Sequence, residues 1–368
     1  MRSSQGIYFS KLDHVRAVAA YLVFIWHFQH LSRQDLYAVT PPAPFPFAIL
    51  HESHTGVALF MTLSGFLFAK IIGDNQVDVV QFWRNRGLRL APLLLVSFGL
   101  AALCAAYLDS NPVSLRSLIE GFVLPTWPLG AWSIAIELHF YLLLPALILL
   151  VGRFSPTILL ALVAMVVLLR AGLWLYNGHV YYWSYWTIVG RFDQFALGMF
   201  FALAAFTPRS RAWLAGCAVI GFAVFWQWVD ASGGYYNLGG AAASSPLWII
   251  VPTAEAVTYG ALIAWYQASS FKLPALVDRA LSSIGQWSYS IYLLHFYFWI
   301  VARHFTRGLV PEMSFAQGVL FSTLCFVVFL PVAAGSYSYF EKPFLKFRTP
   351  YLRKAAVDVP PARTVTLT

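Results

Sequence analysis

Long apolar runs recur along this chain, each about the 20 residues that an α-helix needs to cross a hydrocarbon layer, and each bounded by a polar, proline-rich or glycine-rich loop. Read in order they predict ten helices, at 14–31, 54–72, 91–108, 132–151, 156–176, 189–206, 211–229, 247–266, 288–305 and 315–340. A proline-rich stretch at 41–47, PTWPLG ahead of the fourth helix and GGYYNLGG at 233–240 read as loops. The sequence after EKPFLKFR is polar with prolines and is expected to be unstructured. The fold class is therefore all-α, a polytopic membrane protein of about ten transmembrane helices with no separate soluble domain. It divides into a membrane domain at 1–348 and a polar cytoplasmic tail at 349–368.

Composition agrees: 368 residues, 60% hydrophobic and 11% charged, with mean hydropathy +0.68, lie far from the balance of a soluble domain. A net charge of +9 would ordinarily raise nucleic acid as a partner, but its distribution follows membrane topology. With both ends in the cytoplasm, Lys11, Arg84, Arg86, Arg89, Arg153, Arg209, Arg211, Lys272, Arg279 and the residues from Lys342 on fall on inner segments, as the positive-inside rule requires. Arg33, Arg116, Arg303 and Arg307 are the exceptions. The first helix has no small-residue cleavage site behind it and is read as retained. Cys104, Cys217 and Cys325 lie singly in apolar runs and indicate neither disulfides nor a metal site.

Against the apolar pattern, ionisable residues inside helices mark candidate chemistry, because burying them in a membrane is costly. Arg16 and His27, in KLDHVRAVAAYLVFIWHF at 11–28, share one helix face, roughly 16 Å apart along the axis. Arg86 and Arg89, with Arg84 nearby, present guanidinium groups within one turn. Glu137 lies in the fourth helix on the same face as Ser133, and its partner is either His27, a substrate hydroxyl or Arg191. Arg191, Asp193, Glu255 and His295 are further intramembrane polar positions, and pairing between helices is the alternative to substrate binding for each. Trp132 either stacks on a sugar ring or anchors an interface. Ser64 and Gly65 in LSGFL read as a close-packing point between helices rather than a nucleophile. The aromatic cluster Tyr181, Tyr182, Trp183, Tyr185 and Trp186 is a membrane belt or a carbohydrate platform. His51 and His54 lack a matching third ligand, so no metal is expected.

Six stretches in order, the Arg16-to-His27 helix ending WHF, LFMTLSGFLFAK, the Arg86 and Arg89 pair, WSIAIELHFYLLLP, SYSIYLLHF and FEKPF, carry a resemblance to acyltransferase family 3. These membrane proteins transfer acetyl or other acyl groups to hydroxyls, chiefly on bacterial cell-surface and secreted glycans. The resemblance implies that His27 and Arg16 are essential, that Arg86 and Arg89 are the family's arginine pair, and that Trp132 and Glu137 match its tryptophan and acidic residue. Many members have two consecutive acidic residues there, whereas Leu138 follows Glu137 here. Some relatives append an extracellular esterase-like domain that receives the acyl group. Where this chain's residues end, the implied route is direct delivery to the acceptor or handover to a separate protein.

The chemistry expected from that resemblance is transfer from cytoplasmic acyl-coenzyme A, acetyl-CoA first among donors, to a hydroxyl of a glycan or lipid-linked saccharide in the bacterial inner membrane. His27 would be catalytic as general base or acylated intermediate, with Glu137 beside it. Arg16, Arg86 and Arg89 would bind the donor, whose phosphates suit guanidinium forks. Trp132, Arg191, Asp193, Glu255 and His295 would bind the acceptor. The rival readings are a transporter or flippase of a polar or lipid-linked solute, since intramembrane charges also mark transport paths, and an acyltransferase of a small secondary metabolite.

Overall fold

The structure is a computed structural model that describes residues 8–29, 42–73, 75–107, 113–235, 245–306 and 313–353. Its long helices in chain order are α1 (Ser10–Phe28), α2 (Gly56–Ile72), α3 (Val79–Tyr107), α4 (Trp132–Arg153), α5 (Ile158–Asn177), α6 (Ile188–Leu203), α7 (Pro208–Ala231), α8 (Val251–Ala268), α9 (Ala275–Thr306) and α10 (Phe315–Ser336). Short helices at Ala48–His51, Leu115–Val123, Tyr181–Trp186 and Lys342–Leu345 lie between or after them. Sheet among the described residues is one two-residue pair, β1 (Gln76–Val77) antiparallel to β2 (Leu352–Arg353).

Six of the described helices are long and apolar enough to cross a membrane: Ser53–Ile72, which includes α2, then α3, α4, α5, α7 and Phe315–Leu345, which includes α10. The count of ten spans is therefore not reached on length and composition. The remaining four fall outside those limits of length or polar content. Lys11, Asp13 and Arg16 lie in α1, α6 has 16 residues and carries Arg191 and Asp193, Glu255 lies in α8, and α9 begins with a polar turn. The side chains that make these helices chemically interesting are the ones that lower their hydropathy.

Burial sorts the elements into centre and rim. In the Ser53–Ile72 window 78% of residues are buried, against 17% for α5, whose Met165, Leu168, Leu169 and Leu175 face outward. The centre is assembled by glycines that let main chains touch. A Cβ built on Gly65 of α2 would lie 2.0 Å from the Phe195 carbonyl oxygen of α6, and one on Gly198 of α6 would lie 2.1 Å from the Thr62 carbonyl oxygen. Gly285 brings α9 equally close to Asp13 of α1. Gly65 is thus the contact point anticipated between helices, while its neighbour Ser64 points elsewhere and donates to Glu137.

Two boundaries differ from the sequence pattern in ways that matter for the site. The basic segment ahead of the third helix is itself helical, so Arg86 and Arg89 stand on α3, which continues through Pro92. The segment expected to begin a disordered tail is packed as far as it is described. Asn85 Nδ2 donates to the Thr349 carbonyl, Tyr351 is buried, and β2 pairs with β1. Residues 354–368 lie outside the described part, as do Arg33, Asp35, Asp109, Arg307 and residues 236–240 of the glycine-tyrosine loop. At the same end of the bundle Lys11 Nζ donates to the carbonyls of Tyr266 (3.0 Å) and Ser269 (2.5 Å), closing the last turn of α8.

Gly65→Val should lower the thermal unfolding midpoint in detergent, with an overpacking cost of about 1–3 kcal/mol, because the obstructing atoms, all of Phe195, belong to main chain. Gly216→Val on α7, where a Cβ meets nothing within 4 Å, should leave the midpoint unchanged.

Candidate active site

Two cavities lie inside the bundle, and every residue expected to do chemistry is on one of them or behind its wall. The first is basic. It is lined by Arg16 from α1, Arg86 and Arg89 from α3, Glu137 from α4 and Arg348 from the segment after the last short helix, with Ser64, Ser133, Tyr141 and Tyr289 among its other walls. Arg84, expected to join its neighbours, is exposed and outside this lining.

The cations are held in different ways. Arg16 Nη1 is 2.5 Å from Asp13 Oδ1, one turn earlier on α1. The Arg86 guanidinium sits 5.2 Å from the Phe68 ring centroid, 5.7 Å from Phe82 and 6.0 Å from Tyr141, and its buried Nε has no hydrogen-bond partner. A donor left over inside an aromatic cage is unusual, since such groups are nearly always satisfied. Beyond the membrane helices, burial and the neighbouring Arg89 and Arg86 draw the Arg348 pKa down to about 10, which leaves it charged near neutrality. Glu137 accepts from Ser64 Oγ (3.1 Å) and from the Tyr141 hydroxyl. It therefore stands among the arginines of the basic cavity, held by Ser64 and Tyr141 and not by His27 or Arg191.

The second cavity, about 610 Å³, is aromatic. Trp26, Trp127, Trp132, Tyr185, Trp186, Tyr235 and Phe296 line it together with His27, His54 and His295. That volume is within the roughly 300–1,000 Å³ range of small-molecule sites. Trp132 meets Trp186 edge-on at 4.6 Å and Tyr185 at 5.6 Å. Part of the cluster at Tyr181–Trp186 thus turns inward, although Tyr182 and Trp183 retain substantial exposure.

The histidine geometry fixes its own tautomers. His295 Nδ1 lies 2.6 Å from the Tyr292 carbonyl and 3.2 Å from that of Ile291, and a carbonyl only accepts, so this nitrogen carries the hydrogen. The bare Nε2 of neutral His295 then faces His27 Nδ1 at 3.2 Å. His27 Nδ1 also lies 2.8 Å from the Val23 carbonyl, so it is the donor to both acceptors. This leaves Nε2 as the unprotonated nitrogen of His27. Trp299 Nε1 donates to the His27 carbonyl at 3.0 Å and Phe296 packs edge-on at 4.3 Å, fixing ring and backbone alike.

Arg191, Asp193 and Glu255, expected on the substrate wall, line neither cavity. They are buried behind the aromatic layer, where charge is tolerable only when paired. Arg191 Nη1 is 3.5 Å from Glu255 Oε2, and its guanidinium lies 4.3 Å from the Tyr185 centroid. Glu255 also accepts from Thr55 Oγ1 (2.6 Å) and Gln194 Nε2 (2.9 Å). Asp193 pairs with the fully buried Arg170 (2.7 Å) and accepts from Thr253. This is the interhelical pairing that the sequence left open as the alternative.

Several site residues are not among the sequence candidates. His54, weighed in the sequence only as a metal ligand beside His51, is buried in the aromatic cavity against Trp26, Trp226 and Tyr235. Tyr292 was recoverable from the pattern, since it precedes His295 by three residues and shares its helix face. Arg348 carries no local signal, because any basic residue after a last helix reads as topology. One group among the described residues has metal-ligand spacing, His51, Glu52 and Asp230, with ligand atoms all within 4.8 Å. It is already knit by hydrogen bonds: His51 Nδ1 to Asp230 Oδ1 at 2.6 Å, Ala43 N to Asp230 Oδ2 at 2.7 Å and Tyr235 N to Glu52 Oε2 at 3.1 Å.

Comparison with known proteins bears on this arrangement. Residues 9–337 match the family described as "Acyltransferase domain". O-acetyltransferase OatA of Staphylococcus aureus (strain NCTC 8325 / PS 47) is 26% identical over 92% of this chain and 57% of its own length. Peptidoglycan O-acetyltransferase OatA of Listeria monocytogenes is 25% identical over 45% of this chain and 28% of its own. The chain thus spans little more than half of the Staphylococcus relative. No solved structure matches it.

With 15N-labelled histidine, the His27 resonances, identified by their loss in His27→Gln, should report hydrogen on Nδ1 and a bare Nε2 at neutral pH. The opposite tautomer would contradict the hydrogen-bond assignment.

Proposed function

The chain belongs to acyltransferase family 3, and on that premise we propose that it is a membrane O-acyltransferase. In this reading it moves an acyl group, acetyl first, from cytoplasmic acyl-coenzyme A to a hydroxyl of a glycan or lipid-linked saccharide. The names of the relatives, which specify O-acetyl transfer and in one case peptidoglycan, support the group and the acceptor class. The observation that carries the reading is the adjacency of two unlike cavities: one with four arginines and an unpartnered Arg86 Nε, the other with an aromatic wall and an unprotonated His27 Nε2.

Arg16, Arg86, Arg89 and Arg348 would hold the donor's phosphates, for which planar guanidinium forks are suited. The reading turns the basic cavity to the cytoplasm, with both termini on that side, supported by the clustering of basic residues at that end of the bundle. Bound there, the thioester supplies an activated acyl carbonyl. His27 Nε2 takes the proton of the acceptor hydroxyl as its oxygen bonds to that carbonyl carbon. Collapse of the tetrahedral intermediate breaks the carbon–sulfur bond, and His27 returns the proton to the departing thiolate. While His27 is charged, its Nδ1–H remains bonded to the Val23 carbonyl and His295 Nε2, which stabilises the imidazolium in place. General-base help of this kind is worth about 100 to 10,000-fold. The aromatic wall, Trp132 included, would stack on a sugar ring and exclude water from the reacting carbonyl.

His27→Ala should insert normally in the membrane and lose transfer. Arg86→Gln should raise the KM for acetyl-CoA by about tenfold or more, the worth of charge-assisted hydrogen bonds to phosphate, with a smaller change in kcat. Both are read by free-thiol release and by the gain of one acetyl group in the mass of peptidoglycan fragments. Undiminished transfer by His27→Ala would remove the base assignment, and absence of thioester consumption by folded protein would favour transport of a polar solute instead.

A further inference from the structure

The two cavities meet but do not merge, and the residues common to both linings are Val57 of α2 and Tyr292 of α9. The Tyr292 hydroxyl is suspended between them. It accepts from Ser133 Oγ at 2.6 Å, and Ser133 lines the basic cavity. It donates to the Gly130 carbonyl at 2.9 Å, and Gly130 lines the aromatic cavity. The Tyr292 ring packs edge-on to Phe60, a basic-cavity residue, at 6.0 Å.

The loop that supplies Gly130 is set for this contact. Gly130 has φ +83°, a conformation open to glycine, and a Cβ there would lie 2.5 Å from the Phe296 ring. The two residues of the seam differ in kind. Val57 is a short β-branched side chain in the most enclosed helix and has no polar bond to exchange. Tyr292 can turn about its side-chain torsions at the cost of two hydrogen bonds. Its turning need not disturb the histidines, because His295 is bound through the Tyr292 main-chain carbonyl, not through the ring.

We propose that Tyr292 is the gate between the two cavities: at rest its ring and its bonds to Ser133 and Gly130 close the seam, and it turns aside to admit a narrow, unbranched acyl-thioester arm. The identity of the arm rests on the acyltransfer reading, in which donor and acceptor reach the protein from opposite faces. The barrier itself does not depend on turnover. A gate at this point keeps water and ions from crossing when no donor fills the basic cavity.

The test is sided labelling of a cysteine in the basic cavity. In the full chain with Cys104, Cys217 and Cys325 replaced by alanine, Ser64→Cys is treated with a membrane-impermeant methanethiosulfonate in right-side-out and in inside-out vesicles. With Tyr292 intact, labelling is expected from one face alone. Tyr292→Gly should make it accessible from both faces. Tyr292→Phe, which keeps the ring and removes both hydroxyl bonds, should give labelling from the second face at an intermediate rate. Labelling from both faces at equal rates with Tyr292 intact would overturn the proposal. So would one-sided labelling in both Tyr292 variants, each shown to be folded by size-exclusion chromatography. Neither result depends on catalysis, so loss of the gate and loss of the acyltransfer reading are separable.

Discussion

Much of this structure follows from one constraint: a charge placed in the middle of a hydrocarbon layer must be answered by another group of the protein. The chain meets it with buried pairs that tie helices together. Arg170 answers Asp193 between α5 and α6, and Arg191 answers Glu255 between α6 and α8. Ser290 of α9 donates to Glu341, in the π-helical turn that follows α10. Hydroxyls and amides complete each set, with Thr253 on Asp193, and Thr55 and Gln194 on Glu255. Removing one partner from such a pair strands a charge, typically at a cost of about 3–5 kcal/mol, so these residues are bound to one another before any ligand arrives.

Once the structural charges have paired, what is left unpaired becomes informative. Arg86 Nε has aromatic rings around it and no acceptor. His27 has its Nδ1 fully employed by two acceptors and its Nε2 bare. In the proposed mechanism the first is a donor for the anion of the acyl carrier and the second a base for the hydroxyl proton. They stand in separate cavities, and α1 runs along both, with Arg16 near its start on the basic one and His27 near its end on the aromatic one. The spacing of Arg16 and His27 along α1 thus places one on the basic cavity and the other on the aromatic one.

Packing makes that arrangement rigid. Glycines at the α2–α6 and α1–α9 crossings bring main chains into contact, which leaves little room for helices to slide. On the proposed mechanism, a site assembled from α1, α3, α4 and α9 needs this, since small misplacements of reacting groups are costly. The seam is closed by side-chain hydrogen bonds of Tyr292, which can be exchanged without moving a helix.

The sequence by itself determined the helical, membrane-embedded character and the positions of most helices, and it singled out Arg16, His27, Arg86, Arg89 and Trp132 as candidates, each of which lines one of the two cavities. Each of these is a local property: the length of an apolar run, or a polar residue where hydrocarbon is expected. What it left undecided was partnership. Arg191, Asp193 and Glu255 had the same signature as His27, an ionisable group in an apolar run, and only the packing of α5, α6 and α8 showed that they satisfy one another behind the wall. Glu137 could have faced either cavity, and its contacts with Ser64 and Tyr141 put it with the arginines. His54, Arg348 and the seam at Tyr292 emerged in three dimensions, because each acquires its meaning from residues distant in the chain. The cost of burying a charge can be read from one residue, but its remedy is a contact between helices, and that the tertiary structure alone decides.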